Sequence, residues 1–143
     1  MRTNFINWLC KKAEINDKII LITADLGYSV VEVFQERFPK RFINVGIAEQ
    51  NMVGIAAGLA SEGFKVYLYS IGIFPTFRCA EQIRNDIDYT NLDIVIVTVG
   101  GGFTYGSLGY SHHAIQDIAL IRTFPNFLIG TPCDPIEVKD ILE

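Results

Sequence analysis

The sequence is short of nearly every feature that would point to a polyanion, an oxidising compartment or a membrane. Its 12 Lys and Arg residues stand against 16 Asp and Glu, a net charge of −4, and basic residues never run beyond pairs such as Lys11-Lys12. Nucleic-acid and acidic-membrane surfaces need clustered positive charge, so neither is an expected partner. Cysteine is scarce: Cys10, Cys79 and Cys133 are far apart and show no Cys-x-x-Cys spacing. That argues against a disulfide framework and for core thiols in a reducing, cytoplasmic setting. No apolar stretch approaches the roughly 18 uninterrupted residues of a membrane-spanning helix. The opening MRTNFINWLCKKAEIN has neither a long apolar run nor a small-residue cleavage site, so it is not read as a signal peptide. Phosphate-loop patterns are missing too: Gly100, Gly101, Gly102, Gly106 and Gly109 form no G-x-G-x-x-G and precede no Lys-Ser/Thr pair. The two histidines, His112 and His113, are adjacent and expected to point apart, and with no other ligand spacing nearby no metal site is expected.

What the chain does have is apolar alternation. Its 143 residues, half of them hydrophobic, suit one domain, and a domain of this size buries roughly 70% of its unfolded surface. Phe5, Ile6, Trp8, Leu9 and Ala13 predict an amphipathic helix over 3–15. A strand over 18–23 follows, then a helix through Val30, Val33, Phe34 and Phe38 that ends near Pro39. The unit recurs as strand 42–45 and helix 48–62, strand 65–70 and helix 76–89, strand 93–99 and helix 115–122. Strand 127–130 then leads to a terminal helix with Asp134 before Pro135 at its start. Short, fully apolar strands alternating with helices predict an α/β fold, a doubly wound, mainly parallel sheet with helices on both faces. Ligand crevices in such sheets lie at the carboxyl ends of the strands, here Asp25, Glu49, the segment 70–77 and the glycine-rich loop 100–113.

Glu49 is the residue that most needs an explanation. It opens a helix that carries no further charge until Glu62, with VGIAAGLA between, so the helix is expected to be buried on every side. Burial works against a carboxylate's charge, whereas the free amides of a helix start work for it, and the sequence leaves the balance open. Gly54 and Gly58 leave a bare strip for close backbone approach. Phe74 and Phe77 lie three apart, so both can face a flat heterocycle, with core packing as the simpler alternative.

FINVGIAEQNMVGIAAGLASEG resembles the pyrimidine-binding domain of the transketolase family, the thiamine-diphosphate enzymes that include deoxyxylulose-phosphate synthase. Ala24-Asp25-Leu26 is similar to the family's ADL turn, and the segment from Tyr69-Ser70 to Phe77 to its pyrimidine pocket. Gly109-Tyr110-Ser111-His112-His113 resembles its GPTHQ loop, and Arg122 to Asn126 its R-x-x-PN turn. The resemblance implies a thiamine-diphosphate-binding fold and a catalytic Glu49 that hydrogen-bonds the aminopyrimidine ring. It also implies cofactor contacts from Asp25, Phe74 and Phe77, and a substrate-side catalytic role for His112. Ser107 and Leu108 stand where familiar members carry an acid pair, and Tyr110 where they carry a small residue, which implies a sugar other than the usual pentose phosphates.

The family's other half-site, a GDG stretch with a following Asn that holds Mg2+ and the diphosphate, has no counterpart here. The expectation is therefore a single pyrimidine-binding domain over 1–143, cut before a C-terminal transketolase domain. It would work in a homo- or hetero-oligomer with a diphosphate-binding transketolase subunit or domain that holds the magnesium. The expected activity is transfer of ketol units between sugars or sugar phosphates. The alternatives are a β-subunit-type domain of a 2-oxo acid dehydrogenase and a non-catalytic assembly or regulatory module of the same fold.

Overall fold

A computed structural model describes all residues, 1–143. Helix α1 (Arg2–Ile15) leads into strand β1 (Ile19–Thr23), helix α2 (Glu32–Arg37), strand β2 (Phe42–Asn44), helix α3 (Glu49–Ser61) and strand β3 (Lys65–Ile71). Then come the short helices α4 (Ile73–Phe77) and α5 (Ala80–Gln82), a π-helical turn over Ile83–Asp88 and strand β4 (Ile94–Val99). Two 3-10 turns, Gly106–Leu108 and Tyr110–His112, precede helices α6 (Asp117–Ile121) and α7 (Pro135–Leu142). The four strands are parallel in the order β2-β1-β3-β4.

The sheet is covered on both faces, as its apolar strands require. Along β1, Ile19 and Leu21 join one core with Leu9 of α1, Phe34 of α2 and Val138 of α7. Ile20 and Ile22 join the other with Met52, Val53 and Ala56 of α3, Ile83, and Ile121 of α6. Strand periodicity produces this division, since successive side chains point to opposite faces. Leu9, Leu21, Ile22 and Leu68 are completely enclosed, and burying each such side chain contributes about 1.5–3 kcal/mol. The chain passes from β1 outward to β2 and returns across β1 to β3, so the order reverses at β1, and a crevice is expected at the carboxyl ends beside it.

Three expectations need correction. Helix α3 is not buried all round: Met52, Val53 and Ala56 face the sheet, while Gly54 and Gly58 are exposed. A Cβ at either glycine would meet nothing within 4 Å, so no backbone uses the bare strip in this chain. The helix expected over 76–89 begins earlier, breaks after Phe77 and ends in the π turn.

Residues 127–130 form no strand. Phe124 is buried and Phe127 packs beside it in the α3-side core, which pins the chain there, while Leu128 is 98% exposed and meets no neighbouring strand. A buried acid fixes this turn. The Asn126 amide donates to Asp88 Oδ1 at 2.9 Å, and Asn126 Nδ2 donates to the Asp88 carbonyl at 2.8 Å. Asp88→Ala would strip the Asn126 amide of its acceptor and is expected to cost about 1–3 kcal/mol. Asp88→Asn, which keeps an acceptor oxygen, is expected to retain most of that, as read from urea unfolding midpoints.

Candidate functional site

Gly46, with φ 73°, turns the chain at the end of β2 into α3 and brings Glu49 into the first helical turn. There its side chain is only 3% exposed. An acid so enclosed requires a partner, and the partner is a residue the motifs did not suggest: Arg78 Nη1 donates to Glu49 Oε2 at 2.7 Å. The break after α4 places Arg78 there, and Gln50 Nε2 donates to the Arg78 carbonyl at 3.0 Å. Glu49 Oε1 accepts no hydrogen bond within the chain, yet it is not among the sealed unpartnered polar atoms, so it opens outward.

The Arg78 guanidinium lies over the Phe74 ring, 5.0 Å from its centroid. Phe74 in turn meets His112 edge-on at 5.1 Å between ring centroids. The structure thus brings three of the five sequence-derived candidates, Glu49, Phe74 and His112, into one row with Arg78 between the first two. His112 Nδ1 lies 3.0 Å from Ser111 Oγ, and its Nε2 makes no hydrogen bond within the chain. His113 has different neighbours, the Phe103 ring and the Gly106 carbonyl. Phe77 is 47% exposed and joins none of the ring contacts in this row.

Asp25 lies in a second group, at the ends of β1 and β2. Its φ is 55°, a left-handed conformation that Asp tolerates better than most side chains. Asn44 holds it there: the Asp25 amide donates to Asn44 Oδ1 at 2.9 Å, and Asn44 Nδ2 donates to Asp25 Oδ1 at 3.3 Å. The Gly46 amide also donates to Asn44 Oδ1, at 3.0 Å, so one amide side chain ties the Asp25 turn to the turn that delivers Glu49. Asp25, Tyr28, Glu32 and Asn44 line a cleft of about 100 Å³.

The donor set can be tested against a pyrimidine ring. A buried acid with one open oxygen answers a ring nitrogen, and the flat face of Phe74 answers a ring plane. Ser70, enclosed at the carboxyl end of β3, has a hydroxyl with no partner in the chain. Strand alternation puts it on the same face as Val66 and Leu68, which is the α3 face. These residues fit an aminopyrimidine. They do not fit a metal ion, since no group of three or more His, Cys, Asp or Glu side chains that could hold one occurs.

Sequence reasoning missed Arg78 and Asn44. Arg78 did leave a signal, as the first charged residue after the uncharged run from Val66 to Phe77. Asn44 left none that separates it from an ordinary strand-end residue.

The family described as transketolase, pyrimidine binding domain, matches residues 1–143. One subunit of the apulose-4-phosphate transketolase of Phocaeicola vulgatus is 38% identical over 99% of this chain. 1-Deoxy-D-xylulose-5-phosphate synthase of Bordetella avium is 40% identical over 94% of it. A solved split-gene transketolase, described as an inactive beta4 tetramer, superimposes over 99% of this chain with a TM-score of 0.85 and 36% identity. The chain spans 46%, 22% and 45% of these three proteins, in that order, so it matches about half of their length or less.

Cys79, beside the pair, gives a pH-dependent readout of this region. Burial pushes its thiol up from the ordinary 9.0 to about 12, with the Glu49 charge adding to the rise and Arg78 opposing it. An unfolded chain ionises this thiol near its ordinary value and the folded chain does not. The stability contributed by the neutral thiol is therefore whole below that value and is lost as pH rises towards the folded one. Cys79→Ala is expected to flatten the fall in urea midpoint between about pH 9 and pH 11. The residual slope would belong to Tyr67, Tyr69 and Cys10, which burial raises as well.

Proposed function

The chain belongs to the transketolase pyrimidine-binding domain family, and from that premise we propose that it supplies the pyrimidine-facing half of a thiamine-diphosphate site for ketol transfer between sugars or sugar phosphates. The observation that carries this reading is the buried Glu49 with one oxygen committed and the other open. When bound, the cofactor supplies the carbon nucleophile that a protein side chain cannot. Glu49, enclosed and with Oε1 open, would hold the ring nitrogen through a hydrogen bond and could hold or release the proton shared there. Phe74 would offer its face to the ring, and Phe77, half-exposed beside the row, would add a second aromatic contact. Asp25, held at the end of β1 by Asn44, would contribute a further cofactor contact. His112, with Nε2 free, donates to or accepts from a substrate oxygen at near-neutral pH.

The domain is one half of a site. The diphosphate and its Mg2+ fall to a partner subunit or a separate domain, because no side-chain cluster here suits a metal. A relative named as one subunit of a transketolase, and a split-gene relative whose beta chains form an inactive tetramer, fit such a division. No helix is long and apolar enough to cross a membrane. Cys10, Cys79 and Cys133 are free thiols, which supports a reducing, cytoplasmic setting.

Reconstitution with a diphosphate-binding chain, thiamine diphosphate and Mg2+ tests the reading. Turnover of a ketose phosphate with an aldose acceptor is expected, and Glu49→Gln is expected to lower it by about 10²–10⁴-fold. Turnover that survives this substitution would remove Glu49 from the chemistry. Product analysis with a 2-oxo acid in place of the ketose donor separates ketol transfer from 2-oxo acid chemistry.

A further inference from the structure

Arg78 is assigned no role by the motifs, yet it is the one side chain that touches both the buried acid and the aromatic face. We propose that Arg78 is a positioning residue for Glu49: it takes carboxylate oxygen Oε2 and thereby aims Oε1 at the place where a heterocycle docks. This rests on the reading of Glu49 as the cofactor-facing acid.

Two contacts fix the guanidinium and a third fixes its backbone. Nη1 is 2.7 Å from Glu49 Oε2, Cζ is 5.0 Å from the Phe74 centroid, and the Arg78 main-chain carbonyl accepts from Gln50 Nε2. Glu49 and Gln50 are consecutive on α3, so that helix grips Arg78 by its head and by its backbone. A guanidinium suits this task because it is planar, always charged, and able to stack on a ring while donating in its own plane. A lysine ammonium at the same place would keep the charge but lose the stack and the fixed donor direction. The geometry is also asymmetric. With both oxygens held, Glu49 would have no unengaged oxygen for a ligand; with neither held, the carboxylate would be free to rotate about its last torsion. One bound and one open oxygen leaves Oε1 as the unengaged acceptor for a new hydrogen bond.

Arg78 is 48% exposed on its side chain while Glu49 is nearly enclosed. The pair therefore spans the boundary between interior and solvent, and the cost of removing Arg78 falls on the acid left inside.

The test has two arms. In the 143-residue chain alone, Arg78→Ala, Glu49→Gln and the double variant form a cycle read by thermal unfolding. Arg78→Ala is expected to lower Tm by about 5–10 °C, and to do so by less than half as much in the Glu49→Gln background. Should Arg78→Ala fail to fold, Arg78→Lys and Arg78→Gln serve instead, read by the carbon resonance of the Glu49 carboxyl group, which is expected to shift in both. Additive Tm changes, or an unmoved resonance, would overturn the proposal.

In the second arm, thiamine diphosphate is titrated into the reconstituted pair. Arg78→Ala is expected to weaken binding by about 10–100-fold through misaiming of one hydrogen bond, with partial recovery in Arg78→Lys. If Glu49→Gln weakens binding and Arg78→Ala does not, the positioning role is wrong and the functional reading stands. If Glu49→Gln binds as well as the parent, both fall together.

Discussion

A carboxylate enclosed to 3% exposure is tolerable only when something inside the fold compensates it, and in this chain the compensation is a single guanidinium. The pair does more than neutralise. It joins the first turn of α3 to the break between α4 and α5, two places where the backbone would otherwise be joined mainly through the core beneath. Because the charge is matched within the chain, the acid is accommodated in the folded domain before any ligand arrives. The surrounding polar groups are left incomplete: Glu49 Oε1 is open, Ser70 Oγ is sealed without a partner, and His112 Nε2 is free. Polar groups left open along one edge are what the proposed site for a polar ring calls for, although Trp8 Nε1, Glu32 Oε2, Tyr69 OH and Gln82 Oε1 are unpartnered elsewhere.

The fold was legible in the sequence wherever period and turn chemistry agreed. The runs at 18–23, 65–70 and 93–99 became β1, β3 and β4 because fully apolar, β-branched stretches of that length suit a sheet covered on both faces. Asp134 before Pro135 marked the start of α7, and the Asp134 carboxylate does accept from the amides of Ile136 and Glu137. The segment 127–130 misled because strand propensity carries no information about a partner strand, and none lies beside it. Helix α3 misled for a related reason. An all-apolar sequence says that a helix has no polar face to present, but only the layout of the sheet says which side is covered.

The candidate site was half legible. Glu49, Phe74 and His112 were readable because each is an unusual residue in a recognisable stretch, and the strand ends bring them to one edge. Arg78 was not, because its partner is 29 residues away in sequence and pairing across that separation depends on where a short helix stops. The break after Phe77 was invisible in a segment whose periodicity reads as one continuous helix. Asn44 illustrates the same limit at the other end of the site. Its importance lies in three hydrogen bonds made by one side chain to two turns, and nothing in an Asn at a strand end announces them.

These two unreadable residues act on the readable ones in the same manner. Asn44 holds Asp25 in a left-handed conformation that costs of order 1–3 kcal/mol for a residue with a side chain, and Arg78 holds Glu49 in an enclosure that would reject an unpaired charge. In each case one group is held in an unfavourable state, and a more exposed neighbour offsets the cost. The two supports meet through the backbone, since Asn44 also fixes Gly46, and Gly46 sets where α3 begins. A disturbance at either support is therefore felt along the same short stretch of chain, from the end of β2 to the first turn of α3. Asn44 ties the two turns of this edge together although its acids stand in separate clusters. Strand ends of a parallel sheet provide this naturally: hydrogen-bonded neighbours fix the distances between them, and only the side chains beyond the last ladder bond remain to be aimed.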